Sequence, residues 1–153
     1  MSDFDLLQFV PFRLNRLASE VSSALSEEYR VRFGLEIPEW RVLATLGFRR
    51  KPSSAQYISR STRTHKSTIS RAVLEMEKRE LIRRVDQVDD RRANSICLTE
   101  KGRALYEELV PRLQRREDEI LACLTGEERR ILSALLGKIE ANLGLPATME
   151  ADD

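Results

Sequence analysis

The side chains best able to do chemistry lie between Thr64 and Lys78. Lys66, Ser67, Thr68, Ser70 and Arg71 are cations and short hydroxyls, His65 stands just ahead of them, and no acidic residue follows until Glu75. At helical spacing these groups share one face. That set suits hydrogen bonding to phosphates and to the edges of bases, with Lys66 and His65 towards phosphate and Ser67, Thr68, Ser70 and Arg71 towards base edges. Covalent chemistry is poorly served. His65 is the only histidine, the six glycines are scattered singly, and the carboxylate pairs Glu27/Glu28, Glu107/Glu108 and Glu127/Glu128 are adjacent on helical segments, so they diverge. Cys97 and Cys123 fit neither a disulfide framework nor a metal-ligand pattern. The sequence therefore predicts no enzyme, no metal and no cofactor.

The elements that must hold this face follow from its back. Ile69, Ala72, Val73 and Met76 recur at i, i+3, i+4 and i+7, an apolar stripe for burial. Upstream, residues 54–59 read as a short helix and 62–64 as a tight turn, which makes a helix-turn-helix. Downstream, residues 81–85 and 93–98 are β-prone runs around the polar tip 86–92, a two-stranded hairpin or wing.

Net charge is only +1, but it is unevenly spread. Residues 49–103 carry 15 Lys/Arg against 7 Asp/Glu, so the rest of the chain is acidic. A basic middle between acidic ends is the footprint of a nucleic-acid reader. With no apolar run near 18 residues and no signal peptide, a soluble, cytoplasmic protein in a reducing compartment is expected, with no membrane partner.

The flanks are amphipathic helices. Leu14, Leu17, Val21 and Leu25 mark a long helix from about Val10, with Pro11 in its first turn and Gly34 as C-cap. Pro38 opens a second helix whose start lacks a hydroxyl cap, because Ile37 precedes it. The basic run 49–51 reads as a solvated turn, with Ser53 as the next N-cap. Thr99 caps a helix to about Leu124 that Pro111 should kink, and residues 125–128 form a capping box before a last helix ending at Gly144. A short acidic tail, residues 150–153, closes the chain as a disordered end. The helices at the two ends offer more apolar surface than one small lobe can cover, and a two-fold dimer is the economical solution.

The motifs Lys66-Ser67-Thr68-Ile69-Ser70-Arg71, Leu81-Ile82-Arg83-Arg84, Asp90-Arg91-Arg92-Ala93 and Leu98-Thr99-Glu100-Lys101-Gly102 resemble, in order and spacing, the multiple-antibiotic-resistance-regulator (MarR) family. The resemblance implies a mostly α fold: a winged helix-turn-helix lobe over 34–98, flanked by dimerisation helices at 1–33 and 99–145, with a tail at 146–153. It implies a homodimeric transcriptional regulator, most often a repressor, on a pseudo-palindromic operator in double-stranded DNA. It implies that Arg92, oriented by Asp90 and accompanied by Arg91, enters the minor groove. It also implies a small effector, often an aromatic acid, for which Phe9, Phe12, Arg13, Arg16, Trp40 and Phe48 are the candidate contacts. One branch of the family senses peroxide through a cysteine in the first helix, and this chain has none there. It departs from common family sequences at Ile37, where a polar residue is usual, and at Glu80, where glycine is: either Glu80 adopts a left-handed conformation, costing on the order of 1 kcal/mol, or the helix ends slightly differently. The competing reading is a winged-helix module for protein–protein assembly, which would favour aromatic and apolar anchors where Lys66, Ser67, Thr68, Ser70 and Arg71 stand.

Overall fold

In the computed structural model, which describes residues 4–85 and 94–149, the order is α1 (Val10–Phe33), α2 (Ile37–Arg49), β1 (Ser53–Ser54), α3 (Ala55–Ser61), α4 (Lys66–Lys78), β2 (Ile82–Arg84), β3 (Ser95–Leu98), α5 (Glu100–Ile120) and α6 (Gly126–Asn142). This is the mostly helical winged helix-turn-helix that the sequence predicts. The two wing strands, β2 and β3, pair as expected, and the short β1 joins them as a third strand, in the order β1-β3-β2 with both pairs antiparallel. Ser53 pairs with Ile96 in β1, so the helix cap is Ser54, whose hydroxyl accepts from Tyr57 N–H at 3.0 Å.

The core lies under the helix-turn-helix. Val42, Leu43, Leu46, Ile58, Ile69 and Met76 interlock there, and Ile82 and Ile96 close it from the sheet. The whole stripe Ile69, Ala72, Val73 and Met76 is buried, as its period requires. Each large side chain so buried contributes roughly 1.5–3 kcal/mol, which fixes the orientation of the opposite, polar face of α4.

Chain reversals are satisfied locally. Gly34 adopts φ 61° and donates to Arg30 C=O, ending α1. The start of α2 is better capped than its sequence suggests, since the Glu39 carboxylate accepts from Glu36 N–H at 2.7 Å. Glu80 does take the left-handed form, at φ 58°. Leu81 N–H then reaches back to Met76 C=O at 3.0 Å, so the strain ends α4 with its carbonyls paired. Arg49 is no solvated turn residue. Its guanidinium lies 3.8 Å from the Tyr57 ring centroid and donates to Ser53 Oγ at 3.0 Å.

Thr99 caps α5 by accepting from Gly102 N–H at 3.0 Å. Only glycine fits at 102, because a Cβ there would stand 2.0 Å from Leu81 C=O. Pro111 sits within α5 between the buried Leu109 and Leu113 without ending it. The helix stops at Ile120, short of Leu124, because residues 121–124 form a separate turn. The capping box of α6 forms as expected: Glu128 carboxylate accepts from Thr125 N–H at 2.7 Å, and Thr125 Oγ1 accepts from Glu128 N–H at 3.2 Å. These bonds hold the Glu128 carboxyl below its ordinary pKa. No residue of α6 is buried. Beyond it, residues 146–149 lie against α2 and the end of α3, where Tyr57 OH donates to Met149 C=O. The acidic tail expected at 150–153 lies outside the described residues.

Candidate nucleic-acid interface

The front of α4 presents Lys66, Ser67, Ser70 and Arg71 exposed, with Thr68 half-buried beside the core. Leu74 is the one exposed large apolar side chain on this helix. Aromatic anchors of an assembly surface are missing from it. No acidic residue occupies the first turn, so the positive end of the helix dipole is uncompensated. His65 is the N-cap. Its Nδ1 accepts from Ser67 N–H at 3.3 Å and lies 2.8 Å from Ser67 Oγ, which leaves the proton on Nε2. An exposed Nε2–H at a helix start is available to an anion, and Ser67 is bonded to His65 through both its N–H and its hydroxyl.

The turn ahead of α4 is a small web of hydroxyls. Thr62 Oγ1 donates to Ile58 C=O at 2.6 Å, Ser59 Oγ donates to Thr64 C=O at 2.7 Å, and Arg41 Nη1 donates to Thr64 Oγ1 at 2.8 Å. Between them Arg63 is held at φ 52°, a left-handed conformation unusual for a side-chain-bearing residue. The two groups that sequence reasoning missed here are Arg41 and Arg63. Arg63 had a signal, as a cation inside the predicted turn. Arg41 had none, because its partner is 23 residues away.

Two ion-pair and hydrogen-bond clusters lock α4 from behind. Arg84 of β2 grips the Glu77 carboxylate through Nε at 3.0 Å and Nη2 at 3.2 Å, tying the wing root to the helix. Arg79 donates to Phe33 C=O at 2.6 Å and Gly34 C=O at 3.0 Å, while its own carbonyl accepts from Lys101 Nζ at 2.8 Å. The end of α4 is thereby bonded to the end of α1 and the start of α5. Asp90, Arg91 and Arg92, expected at the wing tip, lie outside the described residues.

The six residues proposed from resemblance as effector contacts do not converge within one chain. Arg13 and Arg16 line an open groove of about 590 Å³ along α1 with Leu14 and Leu17. Phe12 lies under Arg16, 5.5 Å from its guanidinium, and Phe9 packs on Phe4 at 5.2 Å. Trp40 and Phe48 instead form a wall with a cavity on each side. One, of about 450 Å³, faces α1 and α5 and is mostly apolar, with Gln114, Glu117 and the aromatic Tyr106 in its lining. The other, of about 750 Å³, faces the helix-turn-helix and contains Arg41, Ser61 and Thr62, with residues 146–149 over it. Trp40 stacks on Tyr29 at 5.7 Å, and burial pushes the Tyr29 phenol above its ordinary pKa, so it stays neutral.

A buried stripe behind a cationic, hydroxyl-bearing helix, a short helix and turn before it and an antiparallel hairpin after it define a winged helix-turn-helix DNA-binding protein. A family model described as the MarR family matches residues 33–93. The HTH-type transcriptional regulator PecS of Dickeya dadantii is 31% identical over 132 residues, 85% of this chain and 79% of that protein. An uncharacterised HTH-type regulator of Bacillus subtilis, YwaE, is 34% identical over 77 residues, which span half of this chain and 45% of that protein. The structure of a MarR/EmrR family regulator from Acinetobacter sp. ADP1 superposes with TM-score 0.82 at 27% identity, over 94% of this chain and all of that one. A Mycobacterium tuberculosis MarR family protein solved in complex with salicylic acid shares the fold at TM-score 0.72 and 21% identity, over 91% and 99% of the two chains. The chain belongs to the MarR family of DNA-binding transcriptional regulators. Among the described residues no helix is long and apolar enough to cross a membrane, and no cluster could hold a metal ion.

Proposed function

We propose that the protein is a homodimeric repressor that reads a pseudo-palindromic operator and leaves it when a small aromatic acid binds. The observation that carries this reading is the exposed face of α4, where Lys66, Ser67, Ser70 and Arg71 lie together on the side opposite the buried stripe. In this reading α4 enters the major groove, Ser67, Thr68, Ser70 and Arg71 meet base edges, His65 and Lys66 meet phosphates, and the Asp90-Arg91-Arg92 tip brings Arg92 to the minor groove. The dimer is supported by the apolar residues that α1 and α6 leave exposed, among them Leu14, Leu17, Ile131, Leu135, Leu136 and Ile139.

The effector is supported by the aromatic wall of Trp40 and Phe48 and by the salicylic acid in the Mycobacterium relative. Phe9, Phe12, Arg13 and Arg16 join that site in this reading only across the subunit interface, from α1 of a second copy. The test is a gel shift against DNA upstream of the protein's own gene at fixed salt, with random duplex as competitor. Retardation at roughly 10⁻⁸ M or tighter, at least 10³-fold stronger than on random duplex, is expected of a specific reader. Equal binding to both duplexes would refute it.

A further inference from the structure

The two cavities flanking Trp40 and Phe48 are not chemically equivalent. The one facing α1 and α5 has no cation in its lining, and its one charged side chain, Glu117, repels an anion. The one facing the helix-turn-helix contains a guanidinium. Arg41 is half-buried there, its hydrogen bond goes to the Thr64 hydroxyl, and no carboxylate pairs with it among the described residues. A cation set in an aromatic-walled cavity without a counter-ion is a site for an anion.

We propose that Arg41 anchors the carboxylate of an aromatic effector in this cavity, and that taking the anchor releases the turn in front of α4. The inference rests on the effector reading above and adds to it a specific anchor and a route to the DNA-binding helix. The competition is uneven. A carboxylate on a guanidinium is a doubly charged hydrogen bond, roughly twice as strong as a bond between neutral groups, and it can be bidentate. The Thr64 hydroxyl offers one neutral acceptor. With Arg41 drawn towards the ligand, Thr64 Oγ1 keeps its own donation to Thr62 C=O at 3.3 Å and its 3.0 Å contact with Thr62 Oγ1, whose proton goes to Ile58 C=O. Arg63, held at φ 52° between those two threonines, is then freer to relax, and the next residue is the His65 cap of α4. The ring lies against Trp40 and Phe48, with Ser61 and Thr62 as neighbours. Residues 146–149, fastened by the Tyr57–Met149 bond, cover it from the other side.

The chain has a single tryptophan, Trp40, so its fluorescence reports directly on this wall. Benzoate, with benzamide as its uncharged counterpart, is titrated against the wild-type protein, Arg41→Ala, Arg41→Lys and Thr64→Val. Benzoate should change the emission saturably and bind wild type about 10-fold or more tighter than benzamide does. Arg41→Ala should erase that preference by weakening benzoate alone, while Arg41→Lys, which keeps the charge and the fold, retains part of it. Thr64→Val, which frees Arg41, should tighten benzoate about 3-fold and weaken operator binding in its absence. Benzoate that binds Arg41→Ala within two-fold of wild type, that does no better than benzamide, or that leaves Trp40 unchanged at saturating concentration overturns the proposal. So does a Thr64→Val protein with unaltered benzoate affinity. The titrations need no DNA: operator binding without an Arg41-dependent benzoate site sinks this inference alone, and the converse sinks the repressor reading alone.

Discussion

The lobe from α2 to β3 and the flanking helices α1 and α6 dispose their apolar side chains in opposite ways. In the lobe Leu43, Ile58, Ile69 and Met76 are wholly inside and the exposed surface of α4 is cationic and hydroxylic. In α6 nothing is inside, and Ile131, Leu135, Leu136 and Ile139 face outward at 41–52% exposure. The first half of α1 is similar, with Leu14 and Leu17 exposed, whereas its second half buries Tyr29. A chain of 153 residues can bury a sizeable core, so the exposed leucines are not a failure of size. In the function proposed above, the flanks are covered by a second copy of the chain and the cationic face of the lobe by DNA, so each region leaves exposed the kind of surface that its own partner would cover.

That contrast can be broken most severely inside the lobe. Leu43→Ala should destabilise the protein by about 2–5 kcal/mol, because it opens a cavity among fully enclosed neighbours. Thermal unfolding reads this, with Leu135→Ala as the control that should lower stability little once the protein is held monomeric. The reverse test is Leu135→Glu. It should leave the helix-turn-helix folded by circular dichroism and raise the dimer dissociation constant by roughly 100-fold, since a charge would enter an apolar seam. Sedimentation equilibrium distinguishes this from an intramolecular bundle, for which dissociation would not change.

Smaller effects sharpen the polar side. Arg71→Ala should cost about 1–3 kcal/mol on the specific duplex and relax preference at one base pair. An equal loss on random DNA would move Arg71 to the phosphates. Arg92→Ala should weaken operator binding about 10-fold, ~1.4 kcal/mol, chiefly at sites with a narrow minor groove. An unchanged footprint would remove the wing tip from the interface. At the bottom of the scale, Cys97→Ser together with Cys123→Ser should alter neither DNA binding nor its response to peroxide. Cys97 is half-buried in β3 and Cys123 exposed after α5, both as free thiols.

How much of this the sequence disclosed depended on whether the signal was periodic. The stripe Ile69, Ala72, Val73 and Met76 and the cap residues Gly34, Thr99 and Thr125 act within a turn or two of themselves, so their roles could be read from neighbours. Glu80 was legible only through the resemblance, as the place where glycine is usual, and the structure takes the left-handed one of the two outcomes left open. β1 was not, because two residues have no period and Ser53 looks as good a cap as Ser54. Arg49 read as a solvated cation because its ring partner, Tyr57, sits on another element. The same blindness concealed Arg41, whose polar contact is set by the fold and not by spacing. It also grouped Arg13 and Arg16 with Trp40, residues that the folded chain assigns to different cavities.

The Arg79 clamp makes α4 turn with the C-terminal end of α1. With 24 residues, that helix is a rod about 36 Å long. Pivoted at its exposed N-terminal half, such a rod carries its tip about 3 Å for every ~5° of tilt, close to the ~3.4 Å rise of one base step along a strand. In the proposed dimer, leverage of this kind would let the two α4 helices fall out of register with their half-sites while every contact inside each lobe stays intact.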